Sequence, residues 1–517
     1  MFKDHPKGLI PAALSNMGER FGYYIMNAVL LLFLVSKFGI SDQWSGVIYS
    51  VFYALIYVLS LVGGIVADRR NNYKSVIMTG LIIMALGYVL LSIPITSTSA
   101  NISWLLPFTC VSLLLIAFGN GLFKGNLQAI VGQMYDNLEA EAALKGPEEL
   151  RIARTKRDSG FQIFYVFINI GGLIAPFVAP LLRSWWLNKN GLAYNAGLPE
   201  LCHKLINGVS MTVDETANLA KWTAEVGGTI PTPEFCQNYL EVFNTGVHYS
   251  FIASVIAMLI SLVIFISTRR LYPEPPKKVQ TENEGYTPEE KAAMAGEIKQ
   301  RLYALFAVLG VAVFFWFSFH QNGQSLSVFA RDFIKTSAIP PEIWQAVNPF
   351  FVIVLTPIVM AVFGSLARRG KNISTPRKIA YGMLIAATAY IFLLAVSVYY
   401  NYPSGTEFRA MGADTQEAMK AGPWVLIVTY FFLTLAELFI SPLGLSFVSK
   451  VAPKHLQGLC QGLWLTATAL GNLLIWLGPV MYNKWPLWVG WTVFAAVCIV
   501  SMGIMLSMVK WLERVTQ

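Results

Sequence analysis

The feature that most constrains this chain is the recurrence of long apolar runs. Each run has 18 or more residues with few charges, enough to cross a hydrocarbon core about 30 Å thick. Backbone polar groups must be satisfied within the segment in lipid, and the runs do not alternate as barrel strands do, so we predict helices. About twelve runs occur, at residues 10–36, 46–67, 75–95, 104–132, 159–182, 248–268, 302–329, 346–367, 378–400, 423–447, 458–481 and 486–510.

The composition indicates a membrane protein whose partner is the lipid bilayer. Hydrophobic residues make up 55% of the chain and charged residues only 13%, against about 25% charged residues in soluble domains. The first run is not a cleavable signal peptide, because it is too long and contains Glu19 and Arg20.

The net charge of +9 does not indicate a nucleic-acid partner, because the basic residues are concentrated in the loops on one side of the membrane. With the N-terminus inside, about 26 Lys and Arg fall in cytoplasmic segments and about 10 outside, which is the positive-inside bias. We therefore predict that both termini are cytoplasmic. The decisive basic blocks are at 68–74, 151–157, 268–278 and 367–378.

The runs divide the chain into two halves of six helices. We predict an N-terminal bundle from 1–182 with 248–268, and a C-terminal bundle from 302–517. The segment 183–247 is an external insertion, either a cap or a decoration; we favour decoration. The segment 269–301 is a cytoplasmic linker, with a short surface helix predicted near Thr287.

A faint repeat relates the halves. The stretch 63–70 follows the second helix with glycines and arginines, and 364–370 follows the eighth helix in the same way. The same kind of turn follows the second helix of each half, which predicts that the two bundles are related.

The five cysteines say little about function. Cys110, Cys460 and Cys498 fall in apolar runs, where small core residues are expected. Cys202 and Cys236 fall in the insertion, where a disulfide and two unpaired thiols both remain possible.

Four ionisable residues lie well inside apolar runs: Glu19, Arg20, Lys124 and Glu437. A charge at mid-membrane costs at least about 2.5–3.5 kcal/mol, so such residues are functional candidates by default. Their charges sum to zero, which permits neutral pairing across helices.

In the first helix, polar residues recur every three or four positions and form one stripe. Glu19 and Arg20 are neighbours about 100° apart on the helix, so we expect each to need a partner elsewhere. Lys124 on the fourth helix shares a face with Asn120 and Gln128, and we predict a Glu19–Lys124 ion pair. A purely structural pair is the alternative. The stripe contains Asn16, Glu19, Arg20, Tyr23, Tyr24 and Asn27.

The second half carries its polar residues on several helices. In the seventh helix Trp316, His320 and Gln324 share one face, with Gln321 adjacent. We favour a cavity-lining role for His320 over a satisfied core histidine. The other polar or aromatic positions are Glu437 and Ser441 on the tenth helix, Asn348 on the eighth, and Trp464 and Asn472 on the eleventh. Both asparagines could equally join helices to each other.

The basic and acidic candidates belong to different halves of the chain, and this distribution suggests a ligand that carries both charges. Lys124 and Arg20 belong to the first half and Glu437 to the second. A cavity between the halves would suit a zwitterion, with a carboxylate at Lys124 and an ammonium at Glu437. We find no metal-ligand spacing, nucleophile elbow or phosphate loop, so an enzyme and a cofactor are not indicated.

At these residues the chain resembles the proton-dependent oligopeptide transporters of the major facilitator superfamily. The resemblance covers most of the chain. It is carried by ERFGYY (19–24), GGIVADR (63–69), GNGLFKGN (119–126), RDSGFQIFYVFINIGGLIAP (157–176), NPFFVIVLTP (348–357), AELFISPLGLS (436–446) and GLWLTATALGN (462–472).

The resemblance implies twelve core helices in two rocking bundles and uptake of di- and tripeptides with protons. It also suggests a monomer in the plasma membrane, such as a bacterial inner membrane. Lys124 would bind the peptide carboxylate and Glu437 its amino terminus, while Glu19, Arg20 and Lys124 would form the proton relay. Other implied site residues are Tyr23, Tyr24, Tyr57, Asn169, Asn348, Ser441 and Trp464.

Three positions depart from the family pattern. Asn16 stands where a second glutamate is usual, Asn27 where an arginine often contacts the peptide carboxylate, and His320 where a glutamate is usual. Glu19 would then carry the proton alone, or His320 would titrate instead, since imidazole ordinarily titrates at about pH 6.5. The alternative is a transporter of the same fold with another small solute or altered proton coupling.

Overall fold

The computed structural model describes residues 5–40, 42–98, 100–195, 197–273, 288–323, 325–335, 346–371, 373–411, 413–453, 456–475 and 477–516. Helices dominate these residues, and one isolated bridge joins Ile334 to Ala421. The first half contains α1 (Leu9–Phe38), α2 (Asp42–Arg70), α3 (Tyr73–Ser92), α4 (Ile102–Ala143), α5 (Pro147–Lys189), α6 (Leu198–Ile206), α7 (Val213–Glu225) and α8 (Pro233–Ser267).

The second half is built from the same kinds of element. Short 3₁₀ turns occupy Arg269–Leu271 between the halves and His320–Gly323 after α9. The helices are α9 (Pro288–Phe319), α10 (Ser325–Phe333), α11 (Val347–Arg368), α12 (Thr375–Tyr399), α13 (Gly405–Ala410), α14 (Ala413–Met419), α15 (Trp424–Val451), α16 (Gln457–Asn472), α17 (Leu477–Lys484) and α18 (Leu487–Thr516).

Within the described part of the chain, ten helices are long and apolar enough to cross a membrane. They coincide with ten of the predicted runs, and the other two runs lie in α1 and in α16 with α17. Two predicted runs are interrupted. The run 302–329 breaks at the 3₁₀ turn His320–Gly323, and 458–481 breaks after Asn472. Both breaks coincide with Asn and Gly residues, which favour turns over helix.

The surface helix predicted near Thr287 is not a separate element. The helix that begins at Pro288 continues without interruption to Phe319 as α9. A helix does not stop where its sequence turns from polar to apolar, because helix propensity depends on residue type more than on hydropathy. The remainder of the predicted linker, 274–287, lies outside the described residues.

The repeat occupies equivalent positions in the two halves. The first copy ends α2 at Arg70, and the second ends α11 at Arg368. After α2 the chain turns through Asn71 and Asn72, and the Asn72 side chain accepts a hydrogen bond from the Ser75 amide at 3.1 Å. This cap starts α3 at once, so the arginine-rich turn after α2 is short.

The halves pack backbone against backbone at this end, which the positive-inside bias predicts to be cytoplasmic. Gly64 on α2 abuts Gly458 on α16, and an added Cβ at Gly64 would collide with the Gly458 carbonyl. The Asp68 carboxylate accepts hydrogen bonds from the amides of Gly458 at 3.1 Å and Leu459 at 2.8 Å. A carboxylate at a helix N-terminus is favourable, so Asp68 attaches α2 to the start of α16.

A buried ionic cluster joins the halves at the same end. Asp158 on α5 accepts hydrogen bonds from Lys378 and Lys450, both at 2.8 Å, and from Ser446 at 2.6 Å. Thr375 donates a further bond at 3.1 Å. All four donors belong to the second half. We call Asp158, Thr375, Lys378, Ser446 and Lys450 the ionic latch.

Arg157 reinforces the latch from the neighbouring position. Its guanidinium donates to Asp136 at 2.5 Å and to Glu139 at 2.9 Å, both on α4. It also donates to the Ser449 carbonyl of α15 at 3.1 Å. Arg157 therefore connects α4, α5 and α15 at this end of the bundle.

The predicted external insertion contains α6, α7 and the outer extensions of α5 and α8. Cys202 on α6 and Cys236 on α8 are both buried free thiols, and the neighbouring Cys236 raises the pKa of the Cys202 thiol. The fold thus permits a disulfide, and the choice between a disulfide and two thiols stays open.

Candidate functional site

Glu19 and Arg20 form an ion pair with each other, so the expectation that they would not pair is wrong. The Arg20 guanidinium donates to both Glu19 carboxylate oxygens, at 2.6 and 2.7 Å. Both side chains are buried, with 1% and 4% exposure. The long arginine side chain bends back across the 100° between neighbours, and burial strengthens the attraction between the charges.

The predicted Glu19–Lys124 ion pair is also wrong. The partner of Glu19 on α4 is Asn120, whose amide donates to Oε1 at 2.5 Å. Lys124, one turn further along α4, lies over the Tyr57 ring, with Nζ 4.6 Å from its centroid. Among the residues that the structure describes, Lys124 forms no ion pair. Its charge therefore remains available to a ligand.

Tyr23 and Tyr24 follow the charged pair along α1, and their rings contact each other with centroids 5.4 Å apart. Arg20 lies 4.8 Å from the Tyr23 ring, and the Tyr23 hydroxyl donates to Asn27 at 3.4 Å. Tyr24 packs against Gly172 of α5.

Glu437 lies at the junction of the halves, with 6% of its side chain exposed. Its carboxylate accepts hydrogen bonds from the Tyr165 hydroxyl of α5 and from the Asn348 amide of α11, the latter at 2.7 Å. Asn348 also donates to Thr434 at 3.1 Å. Both partners of Glu437 are neutral, and no cation of the described segments pairs with it.

Sequence reasoning did not single out Tyr165. It lies one helical turn before Asn169 on α5, and the Asn169 amide donates to the Tyr165 carbonyl at 3.0 Å. The i, i+4 spacing of a tyrosine and an asparagine in an apolar run could have indicated a shared polar face. Which residue Tyr165 would contact depends on packing between the halves, and the sequence of one helix does not contain that information.

We predict that Tyr165→Phe weakens substrate binding without preventing folding. The change removes the hydroxyl that orients Glu437 while it keeps the ring. A hydrogen bond to a charged group contributes about 1.5–3 kcal/mol, so apparent affinity should fall roughly 10- to 100-fold. Competition for uptake measures this change. Tyr249→Phe, on α8 beside Trp186, is the matched control and should have no effect; equal effects would contradict the role of Tyr165.

His320 and Trp316 form a second polar group at the outer end of α9. Their rings stack with centroids 4.9 Å apart and planes 17° apart. His320 Nδ1 is hydrogen-bonded to the side-chain oxygen Oδ1 of Asn472, so Asn472 joins α16 to α9. Gln324, the third predicted member of this face, lies outside the described residues.

Gln321 is not on this face. Gln321 is buried. Its side-chain amide nitrogen donates to the backbone carbonyl of Ile475 at 3.2 Å, and its side-chain oxygen accepts from the Ser325 hydroxyl at 2.7 Å. The 3₁₀ turn places successive residues about 120° apart rather than 100°, which ends the helical face after His320. Gln321 therefore contributes to packing within the second half.

Ser441 and Trp464 are two further predicted site residues of the second half, and both are buried. Ser441 is buried one turn beyond Glu437 on α15. The Trp464 ring of α16 lies directly on the backbone of Gly444, and a side chain at Gly444 would overlap it. The absence of a Cβ there permits the close approach of α15 and α16.

Lys124 and Glu437 each keep hydrogen-bonding capacity that the described residues do not use. Lys124 has ammonium hydrogens that its contact with Tyr57 does not satisfy, since a cation–π contact is worth only about 0.5–2 kcal/mol. A carboxylate has about four acceptor positions, and Glu437 uses two of them on Tyr165 and Asn348. The described residues contain no group of three or more His, Cys, Asp or Glu that could hold a metal ion.

Comparisons with known proteins identify the family of the chain. The family model described as the POT family matches residues 74–287 and 277–487. The dipeptide and tripeptide permease B of Edwardsiella piscicida is 27% identical over 482 residues, which cover 91% of this chain and 85% of that permease.

Solved structures give the same fold. A crystal structure of a peptide transporter in complex with sulfate matches with a TM-score of 0.59 at 22% identity, over 100% of this chain and 96% of that chain. A transporter in complex with a thioalcohol conjugated peptide matches with a TM-score of 0.59 at 20% identity, over 100% and 98%. The chain is an all-α membrane protein with the major facilitator superfamily fold of twelve transmembrane helices in two six-helix bundles.

Proposed function

The chain belongs to the POT family, and from that premise we propose that it imports di- and tripeptides together with protons by alternating access. Family membership makes it a multi-pass membrane transporter and not an enzyme. The proposal places it in a plasma membrane, such as a bacterial inner membrane, as a monomer with both termini in the cytoplasm. The comparisons that support the substrate class are with dipeptide and tripeptide permeases.

The observation that carries the peptide assignment is the environment of Glu437. A carboxylate buried among neutral donors lacks a counter-ion, and burial of such a charge is costly. The amino terminus of a peptide would supply the counter-ion. Lys124, on the opposite half, would bind the peptide carboxylate in place of its weaker contact with Tyr57. The two ends of one short peptide would then bridge the two halves.

Alternating access is supported by the latch. The cytoplasmic ends of α4 and α5 are joined to α12 and α15 through Asp158 and Arg157. In our proposal this is the state that receives peptide from outside. Release to the cytoplasm requires these ionic contacts to separate and become hydrated, while the external ends of the halves close.

Glu19 is the proposed proton carrier. Its two oxygens accept three hydrogen bonds, two from Arg20 and one from Asn120. Protonation would abolish the ion pair and leave Arg20 as a buried cation near Lys124. A change in charge at this point alters the relative stability of the two access states, which is what coupling requires. The released cation is Arg20, and not Lys124 as the sequence predicted.

We expect an inward proton gradient to drive accumulation of labelled dialanine into liposomes. Glu19→Gln should abolish gradient stimulation but retain exchange of labelled for unlabelled peptide, since the amide keeps the shape without the titratable group. His320→Gln should keep gradient stimulation, because His320 is bonded to Asn472 away from the Glu19 pair. Uptake with and without the gradient measures both variants.

The two variants distinguish the alternatives. If only His320→Gln loses gradient stimulation, His320 and not Glu19 is the proton carrier. Wild-type uptake that ignores the gradient would refute coupling and indicate a facilitator. If dialanine is not transported while another small solute is, the peptide assignment is wrong.

A further inference from the structure

A cavity of about 250 Å³ lies at the outer end of the first half. It is lined by the last turn of α1, the connection between α3 and α4, the end of α6 and the outer part of α8. Lys37 is at its inner wall. Along α1 this residue is about 25 Å from Arg20, at about 1.5 Å per residue, so the cavity is separate from the candidate peptide site.

Lys37 is a buried cation without a carboxylate partner in the described parts of the chain. Only 4% of its side chain is exposed. Its ammonium lies 2.9 Å from His248 Nε2 and 5.0 Å from the centroid of the Phe33 ring. Burial of an unpaired ammonium is costly. The carbonyl groups at the C-terminal end of α1 offset only a small part of that cost, because helix-end effects are much weaker than the desolvation of an ion.

The histidine contact fixes the roles of both groups. His248 Nδ1 lies 2.9 Å from the Leu91 carbonyl oxygen, which can only accept, so Nδ1 carries the proton. Nε2 then accepts a hydrogen bond from the Lys37 ammonium. His248 is therefore neutral and does not balance the charge of Lys37. Two ammonium hydrogens of Lys37 remain for a ligand.

The rest of the lining suits a small zwitterion. Thr96, Ser97 and Thr98 supply hydroxyl groups, and Glu241 supplies one exposed carboxylate. The cavity is several times the roughly 30 Å³ that one water occupies in the liquid. A halide or a single water would leave most of it empty, whereas it has room for a compact amino acid.

We propose that this cavity is a second binding site, for a small amino-acid-like solute, with the solute carboxylate on Lys37 and its ammonium towards Glu241. The carboxylate supplies the counter-ion that Lys37 lacks. This site is independent of peptide transport through the centre, and its occupancy should stabilise the packing of α1, α6 and α8 against each other.

Thermal unfolding of the purified full-length protein tests the proposal with glycine, glycinamide, acetate and chloride as probes. Glycine and acetate should raise the Tm saturably, and glycinamide should not, because it lacks the carboxylate. Lys37→Met should weaken the glycine response at least about 30-fold, while Lys124→Gln should leave it unchanged. A glycine response that survives Lys37→Met would overturn the proposal.

Glu241→Gln provides a second variant that does not disturb a buried residue. It should weaken glycine binding roughly threefold, as expected for an exposed charge, and leave acetate unaffected because acetate has no ammonium. A response to chloride without any response to glycine or acetate would overturn the amino-acid assignment. Absence of every response in the folded wild-type protein would overturn the site itself.

Discussion

Asp158→Asn is expected to open the cytoplasmic end of the resting protein. The carboxylate is the common acceptor for Lys378 and Lys450 in the latch, and its loss leaves two buried ammonium groups facing each other. Removal of one partner from a buried ionic group costs about 3–5 kcal/mol. Because separation of the halves hydrates both lysines, the access equilibrium should shift towards the cytoplasm-open state by about two to three powers of ten.

Distances between spin labels measure this shift. Leu144 after α4 and Lys371 after α11 are both exposed, and cysteines at these positions would report the separation of the halves. Glu148→Gln is the matched control, because Glu148 lies on the same helix in an exposed ion pair with Arg151, and such pairs are worth little. A distance distribution in Asp158→Asn that matches wild type would show that the latch does not hold the cytoplasm-closed state.

Lys124→Gln is expected to have the largest effect on transport. Loss of one partner of a desolvated charge pair costs about 2–5 kcal/mol, so dipeptide uptake below saturation should fall at least about 30-fold. The fold should survive, since Lys124 forms no ion pair with any other described residue and its removal strands no opposite charge.

Initial uptake rates at low peptide concentration provide the measurement. Lys145→Gln, an exposed lysine just beyond α4, is the control and should transport normally. Equal uptake by wild type and Lys124→Gln would exclude Lys124 from substrate binding. A matching loss in both lysine variants would point to a general effect of lowered positive charge.

The sequence predicted the parts of the fold that follow from single helices. The apolar runs located the crossings, because hydropathy and length alone decide whether a helix can span a bilayer. Breaks inside two runs were missed, at His320–Gly323 and after Asn472. These breaks depend on turn residues that a window of hydropathy averages away.

Pairing between charges was harder to predict than their presence. Glu19, Arg20, Lys124 and Glu437 were found because charges are rare in lipid. Their partners depend on helix rotation and side-chain reach, and two of the expected relations were wrong. Arg20 bends back to Glu19, and Asn120 takes the place that Lys124 was expected to occupy.

The latch was missed for a different reason. Asp158 and Lys450 lie at the ends of apolar runs, where charged residues are ordinary and attract no attention. Only the packing of α5 against α12 and α15 shows that they are buried together. Asp158 and Lys450 are almost 300 positions apart in the sequence, so the sequence gives no sign that they are in contact.

The central claim is that Lys124 and Glu437 bind opposite ends of one peptide, and blocked peptides test it most directly. Inhibition of dialanine uptake would be compared for free, N-acetylated and C-amidated dialanine in wild type, Lys124→Gln and Glu437→Gln. In wild type each block should weaken inhibition at least about 30-fold. Acetylation should change inhibition less than about threefold in Glu437→Gln, and amidation less than about threefold in Lys124→Gln. If both variants remain as sensitive to both blocks as wild type is, the two charges do not recognise the peptide ends and the account is contradicted.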